Sequence, residues 1–360
     1  MPAGKRIRVL IVDDSHFFRG VLSKGLSQDE RLTIVGTAVD APDAENKIRE
    51  LSPDVLTLDV EMPGMSGIEF LKKLMSERPL PVVMVSSLDA RVFDILAAGA
   101  VDFVQKPKGG QEAMSAFFAD LSAKIQIAAV ARLRSGRKPA VAAAGTTAPA
   151  SKPAAKAPVL APLRGAGHKK TVIAFGASTG GTDALADVLQ RFPAGTPGII
   201  VTQHMPPGFT KMFAERLNRI CAMEVKEAEN RDPIVPGRIL IAPGGLQMGV
   251  EATASGYAVR VAPGEKVSGH CPSVDFLFTS VAKVVKKDAV GVIMTGMGGD
   301  GAAGLLLMRQ AGAYTVGQDK ETCVVYGMPM VAFKKGAVCK ETGLEFIAAE
   351  VLQHLRRREH

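Results

Sequence analysis

The chain has no tryptophan, only three tyrosines and only four cysteines in 360 residues. The cysteines show neither Cys-x-x-Cys spacing nor an accompanying pair of histidines, which gives no indication of a disulfide framework or a zinc site. No apolar run reaches the roughly 18 residues of a membrane span. The N-terminus also lacks the apolar core and cleavage site of a secretory signal. We therefore expect a cytoplasmic protein that is not inserted in a membrane.

The net charge of +8 is concentrated in one segment. Residues 126–170 contain nine Lys and Arg residues and no Asp or Glu, whereas the regions on either side are close to neutral. From 137 to 167 the sequence is rich in Ala, Pro and Lys and has no apolar periodicity, which is typical of a mobile linker. Because the basic residues lie there, and no helix-turn-helix or RNA-binding signature is present, we expect no nucleic-acid partner.

Strand and helix patterns alternate on both sides of this linker. The first region has five short apolar strands separated by helices, and its last helical run continues from residue 111 to about 133. The second region has five predicted strands, at 171–175, 198–203, 238–242, 289–294 and 314–317, and a small β-rich insert at about 246–262. Both patterns predict doubly wound parallel α/β domains. We expect one domain at 1–125, a helical extension and linker at 126–167, and a second domain at 168–360.

Polar side chains follow four predicted strands of the first domain. They are Asp13 and Asp14, Asp59, Ser86 and Lys106. The carboxyl ends of parallel strands meet at one edge of the sheet, and three carboxylates there would repel each other unless a divalent cation lay among them. Oxygen ligands of this kind favour Mg²⁺. One carboxylate could then attack phosphorus, with the lysine and serine contacting the added phosphate; the alternative is a chance set of loop carboxylates.

This set of residues is similar to the response-regulator receiver domain, over roughly residues 5–125. The matching motifs are Val-Asp-Asp-Ser at 12–15, Asp-Val-Glu-Met-Pro-Gly at 59–64, Ser86, and Lys-Pro at 106–107. The resemblance implies a flavodoxin-like fold in which a histidine kinase supplies the phosphoryl group to Asp59. The interval from Ser86 to Phe103 is shorter than is usual in receivers, which affects the fourth helix.

The same resemblance assigns further roles to residues around Asp59. It implies a Mg²⁺ site made by the side chains of Asp13, Asp14 and Asp59 and the backbone carbonyl of Glu61. It also implies a phosphorylation switch made by Ser86, Phe103 and Lys106, in which the aromatic ring follows the serine hydroxyl.

A serine on a glycine-rich turn stands at the start of the second domain. The motif Gly-Ala-Ser-Thr-Gly at 176–180 follows the predicted strand 171–175 and precedes an amphipathic segment at 183–190. A strand-to-helix turn of this kind is the geometry of a nucleophile elbow, in which Ser178 Oγ stands clear of the sheet beside backbone N–H groups. A phosphate-binding or merely tight turn fits the motif equally well.

A nucleophilic serine needs a base and an orienting carboxylate. His204 follows the next predicted strand, 198–203, and is favoured as the base over His270, which lies in a loop and could contact substrate or be structural. Asp300, after the strand 289–294, is favoured as the carboxylate over Asp275, which has the position of a helix N-terminal charge.

The order of these residues along the chain is informative. The order Ser178, His204, Asp300 differs from that of α/β-hydrolases, where the acid precedes the histidine. A dinucleotide site would have an acidic residue at the end of the second strand, where this chain has Gln203 and His204. The residues therefore favour acyl transfer on a different scaffold.

Five motifs of the second domain together are similar to the chemotaxis protein-glutamate methylesterases, the CheB family, over roughly 171–355. They are Phe-Gly-Ala-Ser-Thr-Gly-Gly-Thr at 175–182, Gln-His-Met-Pro-Pro-Gly-Phe at 203–209, Ile-Ala-Pro-Gly at 241–244, Pro-Ser-Val-Asp at 272–275, and Thr-Gly-Met-Gly-Gly-Asp-Gly at 295–301. The resemblance implies a Rossmann-like catalytic domain with a small β insert. It also implies a catalytic triad of Ser178, His204 and Asp300.

What this family does gives the functional expectation. The resemblance implies hydrolysis of glutamate methyl esters, and deamidation of glutamines, on the cytoplasmic helices of chemoreceptors, which provides chemotaxis adaptation. The oxyanion would be bound by the backbone N–H groups of Thr179 and Met297, and the esterase chemistry needs no cofactor. Phosphorylated Asp59 would relieve blocking of the catalytic cleft by the receiver, and we expect a monomer. Two alternatives are a non-catalytic signalling adaptor and a receiver-coupled nucleotide-binding protein.

Overall fold

A computed structural model describes residues 5–87, 92–107, 109–133, 160–161 and 170–358. Within it the chain divides into two units, Met1–Arg137 and Lys138–His360. The linker predicted at 137–167 lies outside the described residues except for positions 160 and 161. None of the described helices is both long and apolar enough to span a bilayer.

The first unit is built on a parallel sheet of five strands in the order β2-β1-β3-β4-β5. The strands are β1 Ile7–Val12, β2 Leu32–Ala38, β3 Val55–Asp59, β4 Val82–Ser86 and β5 Asp102–Gln105. The helices are α1 His16–Leu26, α2 Ala41–Leu51, α3 Gly67–Glu77, α4 Val92–Ala97 and α5 Gln111–Ala128. The central strands β3 and β4 are buried along their whole length, as expected for a parallel sheet covered on both faces. The α/β prediction is confirmed.

Two helices of this unit are short, α5 relative to its predicted end and α4 in its number of residues. The prediction that the last helix continues to about residue 133 is wrong, because α5 ends at Ala128. The residues beyond have helix-forming composition, but none of residues 129–133 is fully buried, and Val130 is 54% exposed. Helices in proteins depend on a buried face more than on propensity. Helix α4 has only six residues, in line with the short interval between Ser86 and Phe103.

The second unit is built on a parallel sheet of seven strands in the order β15-β14-β13-β6-β7-β10-β8, with a separate antiparallel sheet in the order β11-β12-β9. The strands are β6 Val172–Ala177, β7 Gly198–Gln203, β8 Glu224–Glu227, β9 Pro233–Ile234, β10 Arg238–Ile241, β11 Gln247–Thr253, β12 Gly256–Ala262, β13 Ala289–Ile293, β14 Tyr314–Gln318 and β15 Lys340–Thr342. The helices are α6 Gly181–Leu189, α7 Phe209–Ile220, α8 Val274–Val284, α9 Ala302–Gln310, α10 Met328–Lys334 and α11 Ile347–Arg357.

The prediction of five strands for the main sheet of this unit is too low by two. Both missed strands, β8 and β15, lie at the edges of the sheet, and their sequences, Glu-Val-Lys-Glu and Lys-Glu-Thr, are short and polar. Charged residues on short edge strands discourage pairing with other chains. The same composition removes the apolar pattern by which strands are recognised.

The strand order determines where the catalytic candidates meet. Strands β13, β6 and β7 are adjacent at the centre of the sheet, and each is followed at its carboxyl end by one candidate residue. Helix α8 packs close to this edge, since a Cβ added to Gly176 would lie 2.1 Å from Val274 Cγ1. A side chain at position 176 would therefore displace the helix on which part of the site depends.

Candidate active site

The residues predicted as nucleophile, base and carboxylate lie within hydrogen-bonding distance of one another. Ser178 Oγ is 3.1 Å from His204 Nδ1, and His204 Nε2 is 2.8 Å from Asp300 Oδ2. The backbone is joined as well, because the His204 N–H donates to the Ala177 carbonyl at the end of β6. A serine, an imidazole and a carboxylate in this sequence of contacts form the arrangement needed for nucleophilic acyl transfer.

The Asp300 carboxylate is buried and accepts four hydrogen bonds. Its Oδ1 accepts from Ser273 Oγ and the Asp275 N–H, and its Oδ2 accepts from the Val274 N–H and from His204. These backbone donors form the N-terminus of α8, where a negative charge is favoured. Burial raises the pKa of Asp300, but the hydrogen bonds from His204 and the N–H groups outweigh it and hold that pKa below its usual value.

The ionised state of Asp300 fixes which nitrogen of His204 carries the proton. A carboxylate can only accept hydrogen bonds, so the proton of a neutral His204 lies on Nε2, between the ring and Asp300. The lone pair of Nδ1 then faces Ser178 Oγ. The His204 imidazole is therefore in the tautomer that can take the serine proton.

Close backbone packing fixes the turn that carries the serine. Gly180 has φ of +74°, a conformation that favours glycine, immediately before α6. The Ser178 N–H donates to the Thr295 carbonyl, and a Cβ on Gly296 would lie 2.7 Å from Ser178 Cβ. The loop 295–301 therefore lies directly against the nucleophile and brings Met297 to the same edge of the sheet.

Gln203 has a role that the sequence did not reveal. Its buried side chain donates from Nε2 to the backbone carbonyls of both Ser178 and His204, at 3.0 and 3.2 Å. The amide therefore joins the segments that carry nucleophile and base. The one sequence signal was its place at the end of β7, directly before His204.

The structure also places the two weaker candidates beside the triad. The His270 ring stacks on the His204 ring, with centroids 3.7 Å apart and planes inclined by 12°. Asp275 lies in the first turn of α8, and its Oδ1 accepts from the Gly304 N–H at the start of α9. Asp300 and Asp275 thus each accept from the N-terminal turn of a helix, one from α8 and the other from α9.

The environment of His270 makes stability depend on pH. Burial, followed by the proximity of His204, lowers the pKa of His270 to about 4, against roughly 6.5 for an unperturbed histidine. Below pH 6.5 the unfolded chain binds a proton that the folded chain does not. We therefore expect the free energy of unfolding of the native protein, relative to that of His270→Phe, to fall as pH drops from about 6.5 to 4. Urea titrations of both proteins across this range measure the difference, and a constant difference would contradict the burial of a neutral His270.

The first unit gathers its predicted acidic cluster at the carboxyl edge of its sheet. Carboxylate oxygens of Asp13, Asp14 and Asp59 lie within 4.8 Å of one another. Lys106 Nζ is 2.9 Å from Asp13 Oδ2 and 2.6 Å from Asp59 Oδ2. Burial, with a further contribution from Asp13, raises the pKa of Asp59 against the opposing effect of Lys106. Clustered carboxylate oxygens suit a hard cation such as Mg²⁺.

The remaining residues assigned to the receiver switch lie on the neighbouring strands β4 and β5. Ser86 ends β4 and is buried, and the Phe103 ring on β5 is buried at 6% exposure. Lys124 of α5 donates to the Phe103 carbonyl at 2.6 Å, which connects the switch position to the last helix. Glu61 is exposed, and its N–H lies 3.5 Å from Asp59 Oδ1.

Known protein families match both units of this chain. The family model of the CheB methylesterase matches residues 173–351, and that of the response regulator receiver domain matches residues 9–117. A protein-glutamate methylesterase/protein-glutamine glutaminase of Syntrophomonas wolfei is 52% identical over 344 residues, covering 95% of this chain and 96% of that protein. The Escherichia coli K12 protein of the same name is 45% identical over 352 residues, covering 96% of each chain. The crystal structure of the Thermotoga maritima CheB methylesterase catalytic domain is similar with a TM-score of 0.50 and 35% identity, covering 51% of this chain and 97% of that one.

Proposed function

This chain belongs to the protein-glutamate methylesterase/protein-glutamine glutaminase family, and we propose that it hydrolyses glutamate methyl esters and deamidates glutamines on chemoreceptors. Receiver phosphorylation controls this activity. The observation that carries the proposal is the hydrogen-bonded series from Ser178 Oγ through His204 to Asp300, with distances of 3.1 and 2.8 Å. We assign regulation to the domain at 1–125 and catalysis to the domain at 168–360, joined by the segment 126–167.

The reaction proceeds through an acyl-enzyme on Ser178. Ser178 Oγ attacks the side-chain carbonyl carbon of the substrate as its proton passes to His204 Nδ1. Collapse of the tetrahedral intermediate breaks the bond to the methoxy oxygen, which takes that proton and leaves as methanol. Water then attacks the ester on Ser178 and gives one proton to His204, which returns it to Ser178 Oγ as the glutamate side chain is released, and the new carboxyl group loses its remaining proton to water. With glutamine as substrate, the leaving group is ammonia.

The negative charge of the tetrahedral intermediate needs hydrogen-bond donors beside Ser178. We assign this role to the backbone N–H groups of Thr179, directly after the nucleophile, and of Met297, in the loop that packs on the serine. The packing of Gly296 against Ser178 supports the second assignment. The Ser178 N–H donates to the Thr295 carbonyl, so we do not assign it to the oxyanion.

The receiver unit accepts a phosphoryl group on Asp59. An oxygen of this buried carboxylate attacks phosphorus, and the bond from phosphorus to the donor breaks. Lys106, which contacts Asp59 directly, offsets the added negative charge, while the Ser86 hydroxyl and Phe103 respond to it. A histidine kinase of the chemotaxis type is the partner we assign as donor.

The residues that would hold Mg²⁺ are Asp13, Asp14 and Asp59, with the backbone carbonyl of Glu61. Bound there, the cation would offset the charge of the carboxylates and of the incoming phosphoryl group. The clustering of three carboxylate oxygens within 4.8 Å supports this assignment.

A methanol-release assay on methylated receptor tests the function and its regulation together. Adding a small phosphodonor and Mg²⁺ to the full-length protein is expected to raise methanol release by roughly 5- to 150-fold, the usual range of coupling between two sites. The variant Asp59→Asn replaces the carboxylate that attacks phosphorus with an amide, and is expected to show basal activity with no activation.

A second aspartate near the same strand serves as the matched control for this experiment. Asp54 directly precedes β3, at the end opposite Asp59, and accepts from the Arg8 N–H. Asp54→Asn is expected to be activated like the native protein. Activation of Asp59→Asn would overturn the assignment of the phosphoacceptor, and absence of methanol release from the native protein would overturn the proposed function.

A further inference from the structure

Within the described part of the second unit, the catalytic imidazole has a second imidazole stacked on one face. The His270 ring lies 3.7 Å from the His204 ring, nearly parallel to it. Neither ring nitrogen of His204 is needed for this contact, because Nδ1 faces Ser178 and Nε2 faces Asp300. The stacked ring therefore touches the base through its face alone.

The backbone of His270 is held by an ordered turn. His270 and Val267 exchange both of their N–H···O bonds, each at 3.0 Å. The two residues between them, Ser268 and Gly269, have φ of +52° and +84°. Two consecutive positive φ values between bonded residues are the geometry of a tight two-residue hairpin turn.

Two side-chain hydrogen bonds hold this turn against β11 and α8, and a third connects it through Asp275 to α9. Gln247 Nε2 donates to the His270 carbonyl at 3.2 Å. Ser268 Oγ donates to Asp275 Oδ2 at 2.8 Å. Asp275 in turn accepts from the Gly304 N–H at the start of α9, four residues beyond Asp300. The position of the His270 ring is therefore set by the same elements that position the triad.

We propose that His270 is a positioning residue, whose ring holds the His204 imidazole in the orientation that joins Ser178 to Asp300. This proposal rests on the proposed function of the same site. This positioning matters most in the acyl-enzyme, where Ser178 Oγ is esterified and no longer donates to His204 Nδ1. His204 then keeps its bond to Asp300, and the stacked ring restricts rotation of the imidazole while water takes the place of the serine hydroxyl.

The charge state of His270 agrees with this role. Burial and the neighbouring His204 lower the pKa of His270, with Lys266 acting in the same direction and Asp300 opposing them. The ring is therefore neutral at neutral pH. A neutral ring can remain stacked when His204 becomes an imidazolium, whereas two stacked cations would repel.

The test compares two substitutions in the full-length protein. His270→Ala removes the stacked ring, and we expect kcat for methanol release to fall by about 10- to 100-fold, as for misplacement of a catalytic group. His270→Phe restores a flat ring without nitrogen atoms and is expected to recover kcat to within about threefold of the native value, since stacking requires only a ring face. His354→Ala is the matched control and is expected to retain the native kcat. It also removes a stacked imidazole, because the His354 ring of α11 stacks on the Tyr314 ring of β14 with centroids 4.0 Å apart.

A spectroscopic measurement separates positioning from loss of folding or of function. In nitrogen-15-labelled protein, the His204 Nε2–H resonance is expected in the native protein and in His270→Phe, and to be broadened or lost in His270→Ala. A native kcat and an unchanged resonance in His270→Ala would overturn the proposal, as would a His270→Phe variant as slow as His270→Ala. If the native protein released no methanol, the proposed function would fail, while the resonances would still decide whether His270 positions His204.

Discussion

Replacing Ser178 with alanine is expected to lower methanol release by at least about 10⁴-fold, because members of a catalytic triad act as a unit. Ser178 Oγ supplies the bond-forming atom, and in the alanine variant His204 Nδ1 no longer faces a serine hydroxyl that it can deprotonate. The substitution removes a single oxygen on a half-buried turn, so the fold of the second unit is expected to persist. Methanol release from methylated receptor, with and without phosphodonor, measures the effect.

Two controls make this result specific. Phosphate uptake at Asp59 belongs to the other unit and is expected to continue in Ser178→Ala. Ser280→Ala removes a serine that donates to the Leu277 carbonyl and accepts from the Val250 N–H, and is expected to remain active. Esterase activity that survives in Ser178→Ala would show that another group is the nucleophile.

Much of the fold follows from short-range sequence patterns, and the exceptions share a physical cause. Central parallel strands such as β13 are buried on both faces, so they are continuous apolar runs that the sequence makes visible. The edge strands β8 and β15 are short and polar because each lies at an edge of the sheet, so their sequences have no apolar pattern that predicts a strand. The sequence predicts too long a helix α5, because helix propensity continues past Ala128 whereas fully buried positions do not.

The candidate site could be predicted where topology alone brings residues together. Ser178, His204 and Asp300 each follow a strand of one parallel sheet, and strand ends of this kind converge. The order of β13, β6 and β7 in the sheet then makes them neighbours. The three aspartates and Lys106 of the receiver were predictable for the same reason.

Contacts made by loops could not be predicted in this way. His270 reaches His204 through a turn held by side chains outside it, Gln247 on β11 and Asp275 on α8. The bonds from Gln203 to two backbone carbonyls likewise appear only when β6 and β7 are aligned. Neither contact has a periodicity or motif, since each depends on the packing of several segments at once.

The second large effect is expected for Asp300→Asn, with a loss in kcat of about 10³- to 10⁴-fold. Both carboxylate oxygens of Asp300 accept hydrogen bonds from two donors each. An amide has only one acceptor oxygen, so its NH₂ group must face donors at the other position. If the NH₂ group faces His204, the ring must accept at Nε2 and carry its proton on Nδ1, which leaves no lone pair toward Ser178. If it faces the other way, the buried N–H of Asp275 loses its acceptor.

Asp275→Asn separates the chemical role of Asp300 from its structural role. Both aspartates are buried and both accept from the N-terminal turn of a helix, but Asp275 bonds to Gly304 and Ser268 and not to His204. An asparagine there can still accept from the Gly304 N–H and donate to the Ser268 hydroxyl. We expect Asp275→Asn to lose less than about 10-fold in kcat, because only the support of the His270 turn is changed. Equal losses in the two variants, with equal midpoints of urea unfolding, would mean that Asp300 acts by holding α8 in place, and that the proton on His204 Nε2 is fixed by some other group.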